Sequence, residues 1–76
     1  MHSDSIKAFV LLAGGNVEYN MQHLAYEIRF SDRAGGVDIK QVAFLVPDDI
    51  DEEGLVVQLM LARAAMGKTG LHDPRR

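Results

Sequence analysis

Five carboxylates stand together in the second half of the chain, and oxygen-rich clusters of this kind can bind Ca²⁺. Counted from Asp49, the run 48–53 has acidic residues at positions 1, 3 and 5 and Gly54 at position 6, as calcium-binding loops do. The pattern then fails, because position 12 is Met60 instead of a bidentate glutamate, and because Pro47 and a predicted strand precede the run. The run therefore predicts the negatively charged start of a helix, with an acidic patch that faces a partner as the alternative.

Two further patterns are incomplete versions of ligand-binding motifs. Residues 67–69 (Gly-Lys-Thr) resemble the end of a phosphate-binding loop, but Ala62 stands where that loop needs a glycine, and a predicted helix precedes them. The histidines, His2, His23 and His72, do not have the spacing of a helical metal site. Because the chain also lacks cysteine and a nucleophile motif, we expect no catalytic residue, no metal, no cofactor and no enzymatic activity.

Three cations on or beside a predicted hairpin, Arg29, Arg33 and Lys40, are candidate contacts for a small anionic ligand between subunits. The same cations, together with aromatic side chains, give a lesser hypothesis of nucleic-acid binding. The net charge of −3 argues against that hypothesis, since such proteins usually carry a basic stripe. In addition, Tyr26 and Phe30 lie on the apolar face of the hairpin, which assigns them to the core.

The strongest helix signal begins at Asp51 and ends at Met66, and it is apolar nearly all the way round, with only Gln58 and Arg63 polar after residue 54. A capping box of Asp49 with Glu52, or Asp51 as the cap with an Ile50–Leu55 staple, would start the helix, and Gly67 or Gly70 would end it. We expect one side to pack on a sheet, and this core side comprises Leu55, Leu59, Ala62 and Met66. The opposite side is the predicted partner-binding surface, and it comprises Val57, Met60, Leu61 and Ala64.

Strict alternation of apolar residues over 24–30 predicts a strand, residues 31–36 a turn, and residues 37–46 the return strand. The apolar positions of the return strand change phase at Lys40-Gln41, which favours a β-bulge over a strand buried on both faces. Residues 17–21 alternate out of phase with residues 24–30, so we expect a kink or bulge near Gln22-His23.

The segment Ile6–Ala13 is ambiguous. Its β-forming residues and the Gly14-Gly15-Asn16 turn favour a buried strand, whereas a cap at Ser3 or Ser5 and the glycine stop would suit a helix. The favoured fold is α+β, a three-stranded antiparallel meander with one C-terminal helix packed on it. The alternative makes residues 4–13 helical, in an α-β-β-α order. We expect one domain over residues 1–70 and a flexible tail over residues 71–76.

A single core is marginal at 76 residues, and without cysteine no disulfide can supplement it, which leaves oligomerisation. We therefore expect a non-catalytic protein-interaction module, homo-oligomeric and most simply a dimer. Its size and mild acidity would suit an accessory or inhibitor protein of a phage or mobile element. A small anionic-ligand-binding oligomer is the alternative function. With no apolar stretch near the ~20 residues that span a bilayer, and no convincing secretory signal, we expect no membrane partner and a cytoplasmic location.

Overall fold

The computed structural model describes residues 1–67 and, within them, the side chains of all but residues 33, 34 and 37–39. Along the chain, one helix precedes and one helix follows three strands, in the order αβββα. The five elements are α1 (Ser3–Leu12), β1 (Asn16–Asn20), β2 (Ala25–Ala34), β3 (Val37–Pro47) and α2 (Glu52–Ala65). The strands form one antiparallel sheet in the order β1-β2-β3, which confirms the α+β class and the three-stranded antiparallel sheet.

The N-terminal segment is a helix, so the favoured assignment of Ile6–Ala13 to a strand is wrong and its helical alternative is confirmed. Ile6 and Val10 lie one turn apart and are fully buried, so burial of one helix face outweighs the β-propensity of these residues. The cap is neither serine: His2 Nδ1 accepts a hydrogen bond from the backbone N–H of Asp4 at 3.2 Å.

The first strand of the sheet is residues 16–20 instead, and it is separate from β2. The expected kink near Gln22-His23 is a complete four-residue turn, so the strand reverses there. In this turn Asn20 Oδ1 accepts a hydrogen bond from the N–H of His23 at 3.1 Å, and Leu24 has a φ of 50°. No glycine or proline marks the turn, which is why the alternation pattern missed it.

The β2–β3 hairpin follows the predicted pattern. Tyr26, Ile28 and Phe30 are buried, and Ile28 pairs with Phe44 across the strands. Asp32 pairs with Lys40 and Arg33 with Asp38, so residue 39 is the extra residue of a bulge. This confirms the predicted bulge, one residue before the expected place.

Both helices pack on the same face of the sheet and share its core, with α1 against β1 and α2 against β3. The predicted core side of α2 is confirmed, since all four of its residues are buried. The buried cluster consists of Ile6, Val10, Tyr26, Ile28, Phe30, Val46, Leu55, Leu59, Ala62 and Met66. The predicted tail at 71–76, the end of the predicted domain at residue 70, and His72 lie outside the described residues.

Candidate interaction surfaces

The acidic run of residues 48–53 starts α2. Asp51 Oδ1 accepts a hydrogen bond of 2.7 Å from the N–H of Gly54, so Asp51 is the cap, and Asp49 does not take that role. Ile50 precedes the cap and packs against the buried cluster to which Leu55 belongs. At the other end, Gly67 follows the helix with a φ of 83°, a left-handed conformation that suits glycine.

The outer surface of α2, defined here by Val57, Met60, Leu61 and Ala64, points away from the sheet. The three large side chains are 49%, 58% and 60% exposed in chain order, and Ala64 is also exposed. Because residues three and four apart share a helix face, the buried side fixes the position of this exposed stripe. The structure therefore brings the four predicted partner-binding residues onto one exposed apolar surface.

A second apolar surface lies between the two helices, and we call it the helix groove. Arg63 spans it, since its Nη1 donates a hydrogen bond of 2.7 Å to the carbonyl oxygen of Ala13, which caps α1. Only Met60 belongs both to the groove and to the outer surface of α2. The sequence did not predict this groove, because residues 6–13 favoured a strand over the helix that α1 forms. The lining residues are Phe9, Leu12, Ala13, Val56, Leu59, Met60 and Arg63.

The three candidate contacts for an anionic ligand do not form one positively charged site among the described side chains. Arg29 Nη2 lies 2.7 Å from Glu27 Oε2, so a carboxylate already neutralises this guanidinium. The shallow depression beside Arg29 also includes Glu18, which faces Glu27 across the β1–β2 pair. Lys40 is exposed beside the bulge, and the side chain of Arg33 lies outside the described set. Two carboxylates around one arginine do not favour the binding of an anionic ligand.

The aromatic side chains of the sheet are mostly engaged in the fold. Tyr26 and Phe30 are buried, so neither can stack on a nucleotide base without a change in the core. The ring of Tyr19 packs edge-on against that of Tyr26, with centroids 4.9 Å apart, and its hydroxyl donates to Asp48 Oδ2 at 3.3 Å. Partial desolvation, together with the negative charge of Asp48 and this hydrogen bond, raises the pKa of Tyr19 above its usual value.

Among residues 1–67, no three His, Asp or Glu side chains lie close enough together to hold a metal ion. His2 caps α1 and His23 is exposed in the β1–β2 turn. Neither α1 nor α2 has the length and apolar character needed to cross a bilayer. Comparisons with protein-family models, with curated proteins and with solved structures found no match for this chain.

Proposed function

We propose that this protein is a non-catalytic protein-interaction module that acts as a homodimer, with the outer surface of α2 in the dimer contact. The observation that carries the proposal is the cluster of large apolar side chains that α2 exposes away from the sheet. Val57, Met60 and Leu61 are each about half exposed or more, on adjacent turns of one helix. Contiguous exposed apolar patches of this kind on small proteins usually mark binding surfaces.

Charge favours a second copy of the chain as the occupant of this surface. The N-terminal end of α2 carries the carboxylates of residues 51–53, whereas the cation of α2 is Arg63, near its C-terminal end. A twofold axis perpendicular to the helices makes the two copies of α2 antiparallel, so the acidic end of each lies towards the Arg63 end of the other. A parallel arrangement would instead place the two acidic ends together, which like-charge repulsion disfavours.

Chain size favours the same occupant. A domain of 76 residues buries only about 60% of the surface that its unfolded chain exposes, so its core stability is marginal. Burial of apolar surface stabilises by roughly 25 cal/mol per Å², and α2 has such surface left over after it packs on the sheet. A dimer that covers this surface would add to a core that no disulfide supports.

The test is the solution mass by light scattering at micromolar concentration, for the full chain and for Leu61→Asp. We expect twice the monomer mass of 8.4 kDa for the unmodified chain and the monomer mass for the variant. Leu11→Asp is the matched control, because Leu11 is 61% exposed, against 60% for Leu61, but lies on α1. Circular dichroism of each variant verifies that it is folded. A monomeric unmodified chain, or equal loss of the dimer in both variants, would contradict the proposal.

A further inference from the structure

The two edges of the sheet differ in length and charge. β1 forms one edge with only five residues and has Glu18 at its centre, a charge that discourages pairing with another strand. β3 forms the other edge with eleven residues, and its segment 41–46 (Gln-Val-Ala-Phe-Leu-Val) carries no charge and no proline. A long uncharged edge strand of β-forming residues offers its unpaired backbone groups to a further strand.

We infer that the dimer forms by antiparallel pairing of β3 with β3 of a second copy, which joins the two sheets into one of six strands. This inference rests on the proposed self-association and names the way in which the copies meet. After pairing, the outer edges of the joined sheet are the two short β1 strands, so the assembly closes as a dimer.

Charge selects the register of the pair. Directly opposed residues of an antiparallel pair share a face, so a shift by one residue would place core-facing side chains opposite outward-facing ones. Among the registers that respect the faces, pairing Phe44 with Phe44 of the second copy also brings Lys40 opposite Asp48 of the second copy. Shifts of two residues place Lys40 opposite Val46 or Ile50 instead. Lys40 and Asp48 are both exposed, and the uncharged segment lies between them. Asp48 directly follows the last residue of β3, and its carboxylate also accepts the hydrogen bond of Tyr19.

The same register covers exposed apolar side chains on both faces. On the face away from the helices, Leu45 is 46% exposed and meets Ala43 of the second copy. On the helix face, the partly buried Phe44 meets its own equivalent on the twofold axis. Such cross-strand apolar and aromatic pairs are the main contacts by which paired strands stabilise a sheet.

This arrangement also brings the two α2 helices together. α1 and the helix groove lie on one side of α2, and β3 lies beneath it, so the opposite flank of α2 faces the open edge of β3. That flank carries Leu61, Gln58 and Ala65, all exposed, and the twofold axis makes the facing helices antiparallel. The inferred pairing therefore narrows the contact on α2 to the Leu61 side of its outer surface, while Met60 stays on the groove side.

Single cysteines test the register directly, because the chain has no cysteine of its own. In the inferred pair the Cα atoms of Ala43 and Leu45 of the second copy lie about 4.5–5.5 Å apart, within disulfide range. Two Ala43 residues, or two Leu45 residues, are diagonal neighbours about 7–8 Å apart, beyond that range. We therefore expect Ala43→Cys mixed with size-tagged Leu45→Cys to form a disulfide-linked heterodimer on mild oxidation, and each variant alone to remain mostly unlinked.

The outcomes separate this inference from the proposed function. A monomeric unmodified chain in light scattering contradicts both. A dimer in which the mixed cysteines do not link, or in which Ala43→Cys alone links as readily as the mixture, contradicts the inferred pairing but not self-association.

Charge reversal gives a second test: Lys40→Glu and Asp48→Lys should each raise the dimer dissociation constant about two- to fivefold, and the double variant should restore it. Lys7→Glu, on exposed α1, is the control.

Discussion

Arg63 of α2 donates a hydrogen bond of 2.7 Å to the carbonyl oxygen of Ala13, fifty residues earlier in the chain, where α1 ends. The last turn of α1 contains no basic residue, so this guanidinium supplies the positive charge that the negative end of that helix favours. The bond is partly buried and ties the C-terminal end of α1 to α2 across the helix groove. It is a direct link between the two helices that cover the sheet.

Replacement of Arg63 by methionine should lower the free energy of unfolding by about 1–2 kcal/mol, because it removes a hydrogen bond from a charged donor and keeps an apolar side chain of similar length. Urea unfolding at one fixed protein concentration is the measurement, since the stability of a dimer depends on concentration. Lys7→Met, at an exposed position of α1, should change stability by less than about 0.5 kcal/mol. Equal effects of the two substitutions would show that the bond to Ala13 contributes little.

Asp51 and Asp49 provide a matched pair for the start of α2. Asp51→Ala removes the side-chain acceptor of the Gly54 N–H and should cost about 1 kcal/mol. Asp49→Ala removes a carboxylate that does not cap the helix and should cost at most a few tenths of a kcal/mol. Asp51→Asn retains the acceptor and should recover most of the loss. A larger loss of stability for Asp49→Ala than for Asp51→Ala would contradict the assignment of Asp51 as the cap.

Gly15, in the link between α1 and β1, is buried against the sheet. A Cβ atom there would lie 3.0 Å from Phe30 Cζ and 3.2 Å from the carbonyl oxygen of Arg29. We expect Gly15→Ala to destabilise the protein by about 1–3 kcal/mol through overpacking. Thermal unfolding of Gly15→Ala, Phe30→Leu and the double variant would test the contact. The combined loss should be smaller than the sum of the single losses, because leucine removes the ring edge; strict additivity would exclude the clash.

Local signals predicted the second half of the chain well and the first half poorly. The β2–β3 hairpin follows from alternation and a glycine turn, and α2 follows from Asp51 and Gly67 at its ends. In the first half, Ile6 and Val10 suit a strand by propensity and a helix by spacing, and only the position of the sheet decides between them. The β1–β2 turn depends on Leu24 at positive φ, a conformation that its residue type does not predict.

The candidate surfaces divide in the same way. The outer surface of α2 could be predicted because the core positions of a regular helix determine which side chains face outward. The helix groove could not, because three of its seven lining residues come from α1 and its cap residue. The cations at Arg29 and Lys40 suggested an anion site, but the strand register places Glu18 and Glu27 beside Arg29, and sequence spacing alone did not reveal that register.

The hydroxyl of Tyr19 should titrate above the usual phenolic pKa of about 10, because desolvation and Asp48 both disfavour the phenolate. In a Tyr26→Phe background Tyr19 is the sole tyrosine in a chain without tryptophan, so its phenolate absorbance against pH reports it alone. Asp48→Asn should lower its pKa and Asp49→Asn should not. Because the folded-state pKa is raised, the contact stabilises the fold below the unfolded pKa and loses that effect as pH rises through the folded value. Identical titrations in both variants would show no coupling to Asp48.

Glu18 and Glu27 lie directly opposite each other on β1 and β2, on the face of the sheet away from the helices. Opposed like charges destabilise a strand pair, and the nearby Arg29 already binds Glu27. Glu18→Lys should therefore raise the free energy of unfolding by about 0.2–1 kcal/mol, since it turns a repulsive pair into an attractive one. Glu18→Gln should gain less, because it removes the repulsion without adding attraction. Urea unfolding at low and high salt separates the two effects: the advantage of lysine over glutamine should shrink at high salt, and a salt-independent difference would assign it to strand propensity instead.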